Sequence, residues 1–522
     1  MMLILKWRLI GRACCAGLLT VLLLVGLPAM AQEVATGFVF HDANYNGVMD
    51  EGESGIPDVL VSNGEDVVAT DADGAWSLPV GEDTTLFVIK PSGWMTPVRE
   101  DMIPQFYYVH KPEGSPELRY AGLEPTGPLP ESIDFPLVPQ EEPDSYEFIL
   151  FGDTQPRTQQ EVDYIAHDVV EELIGSEAAF GVTLGDLLFD DLTLFEPLNE
   201  AIAHIGLPWY NVVGNHDLNM DAPDNELATE TWKRVYGPTY YAYQYGPTWY
   251  FVLNDVVWTG EGSYHGALGE TQLAFIENVL EHVDQDSLIM ILMHIPLTHM
   301  QDRADFYALI EDYPNLFSTA AHRHFQQHHF FGEDEDWKGS EPLHHLVHAT
   351  VCGSWWRGVP NEFGIPHATM QDGAPNGYSI VSIDGNEYSI RFKAARRPAD
   401  FQMLVHLPEE IQSSDTAETE VVANIFAGSE RNEVHMRLNG EGEWLPMEHS
   451  PRACPFYVEA FELDSIMPDG TGIRLPGPIT SSHIWAAPLP ADLPVGVHRV
   501  DVRSVDMFGQ EDIDHRTFRI VE

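Results

Sequence analysis

Five times between Tyr146 and His324 the sequence repeats one pattern, an apolar run of strand length that ends in residues able to bind a metal. Tyr146–Phe151 runs into Gly152-Asp153-Thr154-Gln155, Phe180–Leu184 into Gly185-Asp186, and Trp209–Val213 into Gly214-Asn215-His216-Asp217. Ser287–Met293 then delivers His294, and Leu316–Ala320 delivers Ala321-His322-Arg323-His324. In open α/β sheets reactive groups gather in the crevice beyond the carboxyl ends of the strands, so five such strands can bring carboxylate, amide and imidazole into one pocket. Singly, the segments have ordinary readings as well. An Asp after a strand caps helices, Gly-Asp forms turns, and a histidine leaving an apolar strand is commonly a hydrogen-bonded core residue. The run His322, His324, His328 and His329 reads either as metal-binding or as a solvated patch. Gly-Asn followed by paired His and Asp has little structural purpose, and the five segments together point to a metal site.

Apolar strands alternating with amphipathic segments predict an α/β domain over residues 141–397. Val162, Ile165, Val169 and Leu173, and again Leu273, Ile276, Leu280 and Val283, recur at helical spacing and predict two covering helices. Upstream, short strands separated by Gly, Asn and Asp clusters predict a small β-sandwich within residues 32–140. It ends in a proline-dense stretch from Pro125 to Pro143, read as a linker or an extended connection. After Arg396-Arg397-Pro398 the β-type alternation returns and predicts a second β-sandwich over residues 398–522.

Residues 1–31 have the form of a signal peptide. Lys6, Arg8 and Arg12 precede the apolar run Ala13–Leu27, and Ala29-Met30-Ala31 supplies a cleavage site before Gln32. This predicts an exported protein, periplasmic or extracellular, with no membrane span in the mature chain, since no second apolar stretch reaches spanning length. Export leaves Cys352 and Cys454 where a disulfide could form, although they fall in different expected domains. Acids outnumber bases 82 to 26, a formal charge of −56, and such a chain repels phosphate backbones, which excludes sequence-independent nucleic-acid binding. Only Lys6, Lys90, Lys111, Lys233, Lys338 and Lys393 are lysines, and an acid-rich, lysine-poor surface suits high salt.

Asp42-Ala43-Asn44-Tyr45-Asn46-Gly47-Val48-Met49-Asp50-Glu51-Gly52-Glu53 meets the Asp-x-Asn-x-Asn-Gly-x5-Glu pattern of a calcium loop. Asp42, Asn44, Asn46, Asp50 and Glu53 are the expected oxygen donors. The flanks read as strands rather than the helices of an EF-hand, so the expected role of Ca²⁺ is to order a loop in a small module.

The blocks Asp-x-Gln, Gly-Asp, Gly-Asn-His-Asp, a lone His, and His-x-His resemble those of the calcineurin-like metallophosphoesterases over about residues 146–395. Gly185-Asp186-Leu187-Leu188-Phe189-Asp190-Asp191 and Cys352-Gly353-Ser354-Trp355-Trp356 look like an exported bacterial branch with added N- and C-terminal β-domains. Two positions depart from the pattern: Gln155 stands where His is frequent, and Ala321 where Gly is usual. The resemblance implies an αββα sandwich flanked by the two β-sandwiches, and a pair of divalent or trivalent transition metals, Mn, Fe or Zn. One ion would be held by Asp153, Gln155, Asp186 and His324, the other by Asp186, Asn215, His294 and His322, with Asp186 shared. Two such ions hold a hydroxide at neutral pH for in-line attack on a phosphate mono- or diester, in a small molecule or a polymer. His216 would serve the leaving group, with Asp217 orienting its ring, while Asp190 and Asp191 read equally as outer acceptors or helix caps. Ions inside the pocket act at close range, so the screened surface acids do not exclude an anionic substrate. Trp355 and Trp356, with His299, Arg323 and Arg357, are candidate pocket residues, although paired tryptophans are commonly core. The competing expectation is a non-catalytic surface or carbohydrate-binding protein on the same scaffold. A metal-dependent hydrolase of another bond is disfavoured by the absence of His-Glu-x-x-His.

Overall fold

The computed structural model describes residues 33–468 and 473–522. The expected signal peptide and its cleavage site before Gln32 lie outside the described residues. Among the described residues no helix is long and apolar enough to cross a membrane.

The centre of the molecule is a pair of facing sheets. One has five strands in the order Trp209–Asn211, Gly181–Thr183, Ser145–Phe151, Gly377–Asp384 and Glu387–Ala394. The other has six, in the order Tyr241–Tyr245, Thr248–Val252, Ile289–Leu292, Leu316–Ala320, Leu343–Val347 and Gln327–Phe331. Strand 145–151 shows how the sequence builds this layer. Its side chains alternate, so Phe148 and Leu150 enter the cluster between the sheets with Tyr243 and Tyr250. Ile149 and Phe151 enter a second cluster with Ile165, Val169 and Leu173 of the helical segment Gln159–Leu173. A strand buried on both faces is continuously apolar, and that is how residues 148–151 read, after exposed Glu147. On the far side of the six-stranded sheet, helices Glu270–Leu280 and Arg303–Ile310 bury Phe275, Ile276, Val279, Phe306 and Ile310. The resulting order is helix, sheet, sheet, helix, the αββα sandwich expected from the sequence.

Strands 145–151, 181–183 and 209–211 pair in parallel, as do 289–292 and 316–320, so the five expected polar tips all leave carboxyl ends of parallel strands. β-Sandwiches flank this core on either side in sequence. The N-terminal one pairs Glu33–His41 with Ala75–Val80 and Phe135–Pro139, against a second four-stranded sheet containing Leu60–Ser62 and Thr84–Ile89. The proline-dense stretch therefore contains a strand, running parallel to 33–41 with Val39 opposite Phe135. Proline is tolerated there as long as its position needs no N–H donor. The C-terminal sandwich has sheets of four and five strands around Val421, Met436, Trp485, Val502 and Phe518. Helix Pro455–Ile466 is an addition to the expected all-β text. Tyr457, Ala460 and Phe461 pack on one face, but exposed Phe456, Leu463 and Ile466 make the segment apolar all round and hide the helical period.

The Asp42–Glu53 segment leaves strand 33–41 as an expected loop between strands. Asp42 is buried and accepts N–H bonds from Asn46 and Gly47, while the Asn44 and Asn46 amides both donate to Asp50 Oδ2 at 2.8 Å. Glu53 closes it by accepting from the Ala43 and Asp50 N–H groups. Cys352 and Cys454 are both buried and both free, so no disulfide joins the core to the C-terminal domain.

Candidate metal centre

Asp186 lies at the middle of the site. Its Oδ2 accepts from the Gln155 amide at 3.0 Å, and its Oδ1 lies 3.3 Å from His294 Nε2 and accepts the His216 N–H at 2.9 Å. Two glycines make this approach possible. A Cβ on Gly214 would lie 1.9 Å from Asp186 N, and one on Gly185, at φ +84°, would lie 2.6 Å from His294 Nδ1. His294 Nε2 is also 3.1 Å from Asn215 Oδ1 and 3.2 Å from His322 Nδ1. Asp186, His294 and His322 thus present donor atoms within 4.8 Å of one another. At the other end, Asp153 Oδ1 accepts the His322 N–H, and its Oδ2 lies 3.0 Å from His324 Nε2. All seven residues expected to hold metal are joined in this chain of contacts. Gln155, Asp186, His322 and His324 all have positive φ, an unfavourable conformation for bulky side chains that clusters at functional sites.

The donor set suits cations. Asp153 Oδ2 is buried, and its close polar neighbour is His324 Nε2 at 3.0 Å, so an anionic oxygen is aimed into the cluster. His294 Nδ1 donates to Leu184 O at 2.8 Å and His324 Nδ1 to Gly353 O at 2.6 Å, which fixes each tautomer with Nε2 free toward the centre. Turning the Gln155 amide over presents its oxygen where its nitrogen now faces Asp186. Burial pushes the Asp186 carboxyl up, but the charges of His294 and His216 outweigh it and hold the group well below the usual carboxylate range. Burial lowers His294 in turn, yet Asp186 carries it up to about 10. His322 goes the other way, down to about 3, through burial and the charge of His294. Carboxylates that bind a proton this firmly on a neighbouring imidazole provide the field that binds a metal ion.

His216 sits beside this cluster, but its orienting partner is not Asp217. His216 Nδ1 pairs with Asp190 Oδ1 at 2.6 Å, and its ring stacks on Phe189 with centroids 4.4 Å apart. Burial lowers the His216 imidazole, and Asp186 and Asp190 together raise it above its ordinary value. Asp217 is fully buried and accepts backbone N–H bonds from Leu187, Leu188 and Gly214. It ties the loop carrying Asp186 to the loop carrying Asn215 by accepting from both, and its hydrogen-bond partners are these backbone groups rather than the His216 ring. Asp191 takes the capping role, accepting from Thr193 N ahead of Leu192–Leu194.

Asp255 was missed by the sequence reading. It is buried, accepts the N–H groups of His294 and Ile295, and is pushed by burial up to about 7. Its signal was available, since strand Thr248–Val252 also runs into an acid through Leu253-Asn254-Asp255. The tryptophan pair divides. Trp356 is core and donates to Thr154 O, whereas half-buried Trp355 stacks on His324 at 4.0 Å. His299 and Arg323 contact each other on the exposed side. His328 is held against His344, and His329 lies in the same strand, so neither joins the cluster.

Two family models match the chain. That for the N terminal of calcineurin-like phosphoesterase covers residues 43–121, and that for the C terminal of calcineurin-like phosphoesterase covers residues 345–511. No curated protein matches. Among solved structures, a purple acid phosphatase from yellow lupin (Lupinus luteus) seeds aligns at 11% identity over 65% of this chain and 67% of its own, with a TM-score of 0.35.

Proposed function

The chain belongs to the calcineurin-like phosphoesterases and is a metal-dependent phosphoric ester hydrolase; from that premise we propose that it is exported and hydrolyses phosphate mono- or diesters at the Asp186 cluster. The observation that carries the site is the Asp186 carboxylate, one oxygen facing Gln155 and the other His294. In this reading Asp153, Gln155, Asp186 and His324 hold one ion, and Asp186, Asn215, His294 and His322 the other. A pair of Mn, Fe or Zn ions held by these residues would supply an acidified water and charge neutralisation at the phosphoryl group. The chain's own groups do the rest. Asp217 and Asp255 hold the backbones of the ligand loops. His216, its ring held by Asp190 Oδ1 at 2.6 Å, gives a proton to the oxygen that leaves phosphorus. Asp186→Asn is the direct test: hydrolysis of bis-p-nitrophenyl phosphate by protein reconstituted with each metal should fall by about 10²-fold or more. Activity unchanged by that substitution would remove the assignment of the site.

Export rests on residues 1–31 and is tested by whether the protein recovered outside the cytoplasm begins at Gln32. Calcium at Asp42, Asn44, Asn46, Asp50 and Glu53 rests on the loop's sequence pattern. Calorimetric titration with Ca²⁺ tests it, and Asp42→Ala should abolish the heat.

A further inference from the structure

Two guanidinium groups flank the cluster, each one aromatic ring away from an imidazole of the site. On one side His216 stacks on Phe189, and the Arg157 guanidinium lies 4.2 Å from the same ring centre. Two groups that close to one benzene ring cannot share a face, so Arg157 and His216 bracket it. On the other side His324 stacks on Trp355, and the Arg357 guanidinium lies 5.2 Å from that ring. Arg157 also donates to the Trp355 carbonyl at 2.9 Å, which ties the two sides together. Arg157 has a carboxylate neighbour in Glu161, at 3.6 Å. Arg357 pairs with none among the described residues, and its Nε is buried without a hydrogen-bond partner. Burial and then the charge of Arg157 push the Arg357 guanidinium below its ordinary value, so the two cations feel each other. Nε is the buried donor of an otherwise half-exposed side chain, and the rest of the Arg357 fork has no acid partner among the described residues.

We propose that Arg157 and Arg357 form a subsite for a second phosphate of the substrate, next to the phosphate hydrolysed at the Asp186 cluster. The planar fork of Arg357 matches phosphate oxygens bidentately, while Arg157, whose Nη1 already donates to the Trp355 carbonyl, adds positive charge beside it. The favoured substrates are then compounds with two linked phosphates, such as nucleoside diphosphates, over their monophosphate counterparts. This rests on the hydrolase reading of the cluster and adds the substrate class to it.

The test compares kcat/KM for ADP and AMP in the metal-reconstituted wild type and in Arg357→Gln and Arg357→Lys. Wild type should favour ADP by about tenfold or more, mainly through KM, as expected for a charge-assisted contact. Arg357→Gln should abolish that preference, and Arg357→Lys, which keeps the charge without the fork, should retain part of it. A wild type that favours AMP, or a preference that survives Arg357→Gln, overturns the subsite. Bis-p-nitrophenyl phosphate, which has a single phosphoryl group, reports the hydrolase reading separately. Should it not be turned over, equilibrium dialysis of ADP against wild type and Arg357→Gln still reads the subsite, and equal binding by the two would overturn it.

Discussion

At the scale of single residues, His216 gains its character from what surrounds it. Asp190 fixes its ring at 2.6 Å, Phe189 covers one face, and Asp186 lies on its backbone side. A proton given to a departing oxygen matters most when that oxygen is a poor leaving group. His216→Ala should therefore lower kcat by about 10²-fold on phenyl phosphate esters and by clearly less on p-nitrophenyl esters. Asp190→Asn should follow the same trend with a smaller loss, and Asp217→Asn should not. An equal loss on both leaving groups would show that His216 only shapes the pocket. The sequence supplied His216 and the spacing from Asp186 to Asp190, but not which acid faces the ring. Asp217 is adjacent in the chain, yet the turn that presents His216 directs the Asp217 carboxylate inward to three N–H groups.

At the scale of elements, the N-terminal sandwich is held to the core by a charge cluster that runs from buried Glu230 and Lys111 out to exposed Asp83. Lys111 Nζ lies 2.5 Å from Asp83 and 2.9 Å from Glu230, and Lys233 reaches the same two acids at 2.9 and 3.0 Å. Glu230 heads helix Glu230–Tyr236 of the core, whereas Asp83 and Lys111 belong to the sandwich. Burial pushes Asp83 up, but Lys233 and Lys111 outweigh it and the carboxyl falls below 3.8. Burial lowers Lys111, and Asp83 and Glu230 more than restore it, above 10.5. A depressed carboxyl stabilises above its unfolded value and loses that stability as pH falls through its folded value. A raised lysine does so below 10.5 and loses it as pH rises through its folded value. The cluster's own contribution, read as the difference between the wild-type and Asp83→Asn melting profiles, should therefore be constant between about pH 4 and 10 and shrink outside that window. In Asp83→Asn the acid-side fall should be shallower. Glu230→Ala, which leaves the two lysines to share Asp83, should cost about 1–3 kcal/mol in a denaturant titration.

At the scale of the whole molecule, the C-terminal domain reaches the metal loop through one buried acid. Asp372 Oδ2 accepts the Gln326 N–H at 2.8 Å, two residues from His324, and lies 3.0 Å from His483 Nε2 of the C-terminal sandwich. The net charge of −56 acts on all three units at once. Repulsion among surface carboxylates weakens as the Debye length shrinks from about 10 Å at 0.1 M salt to about 3 Å at 1 M. Raising NaCl over that range should increase the melting temperature by a few degrees, by the ~2–4 °C per kcal/mol typical of domains this size. A flat profile would mean that the acids are spaced widely enough not to repel.

Sequence alone determined the strand tips and the α/β class, because period-two burial, Gly-flanked polar ends and the switch between strand and helix periodicity are local properties of the chain. The αββα order and the expected ligand set came from the resemblance to the calcineurin-like metallophosphoesterases, carried over position by position. Only the tertiary structure decided what meets what across the loops: Asp190 rather than Asp217 on His216, Asp255 behind His294, Trp355 on the site and Trp356 in the core. Those choices depend on backbone turns at positive φ, at Asp186, His322, Trp355 and Trp356 among others. Side chains at such turns are aimed by long-range packing, and no spacing rule within a single strand or helix encodes that direction.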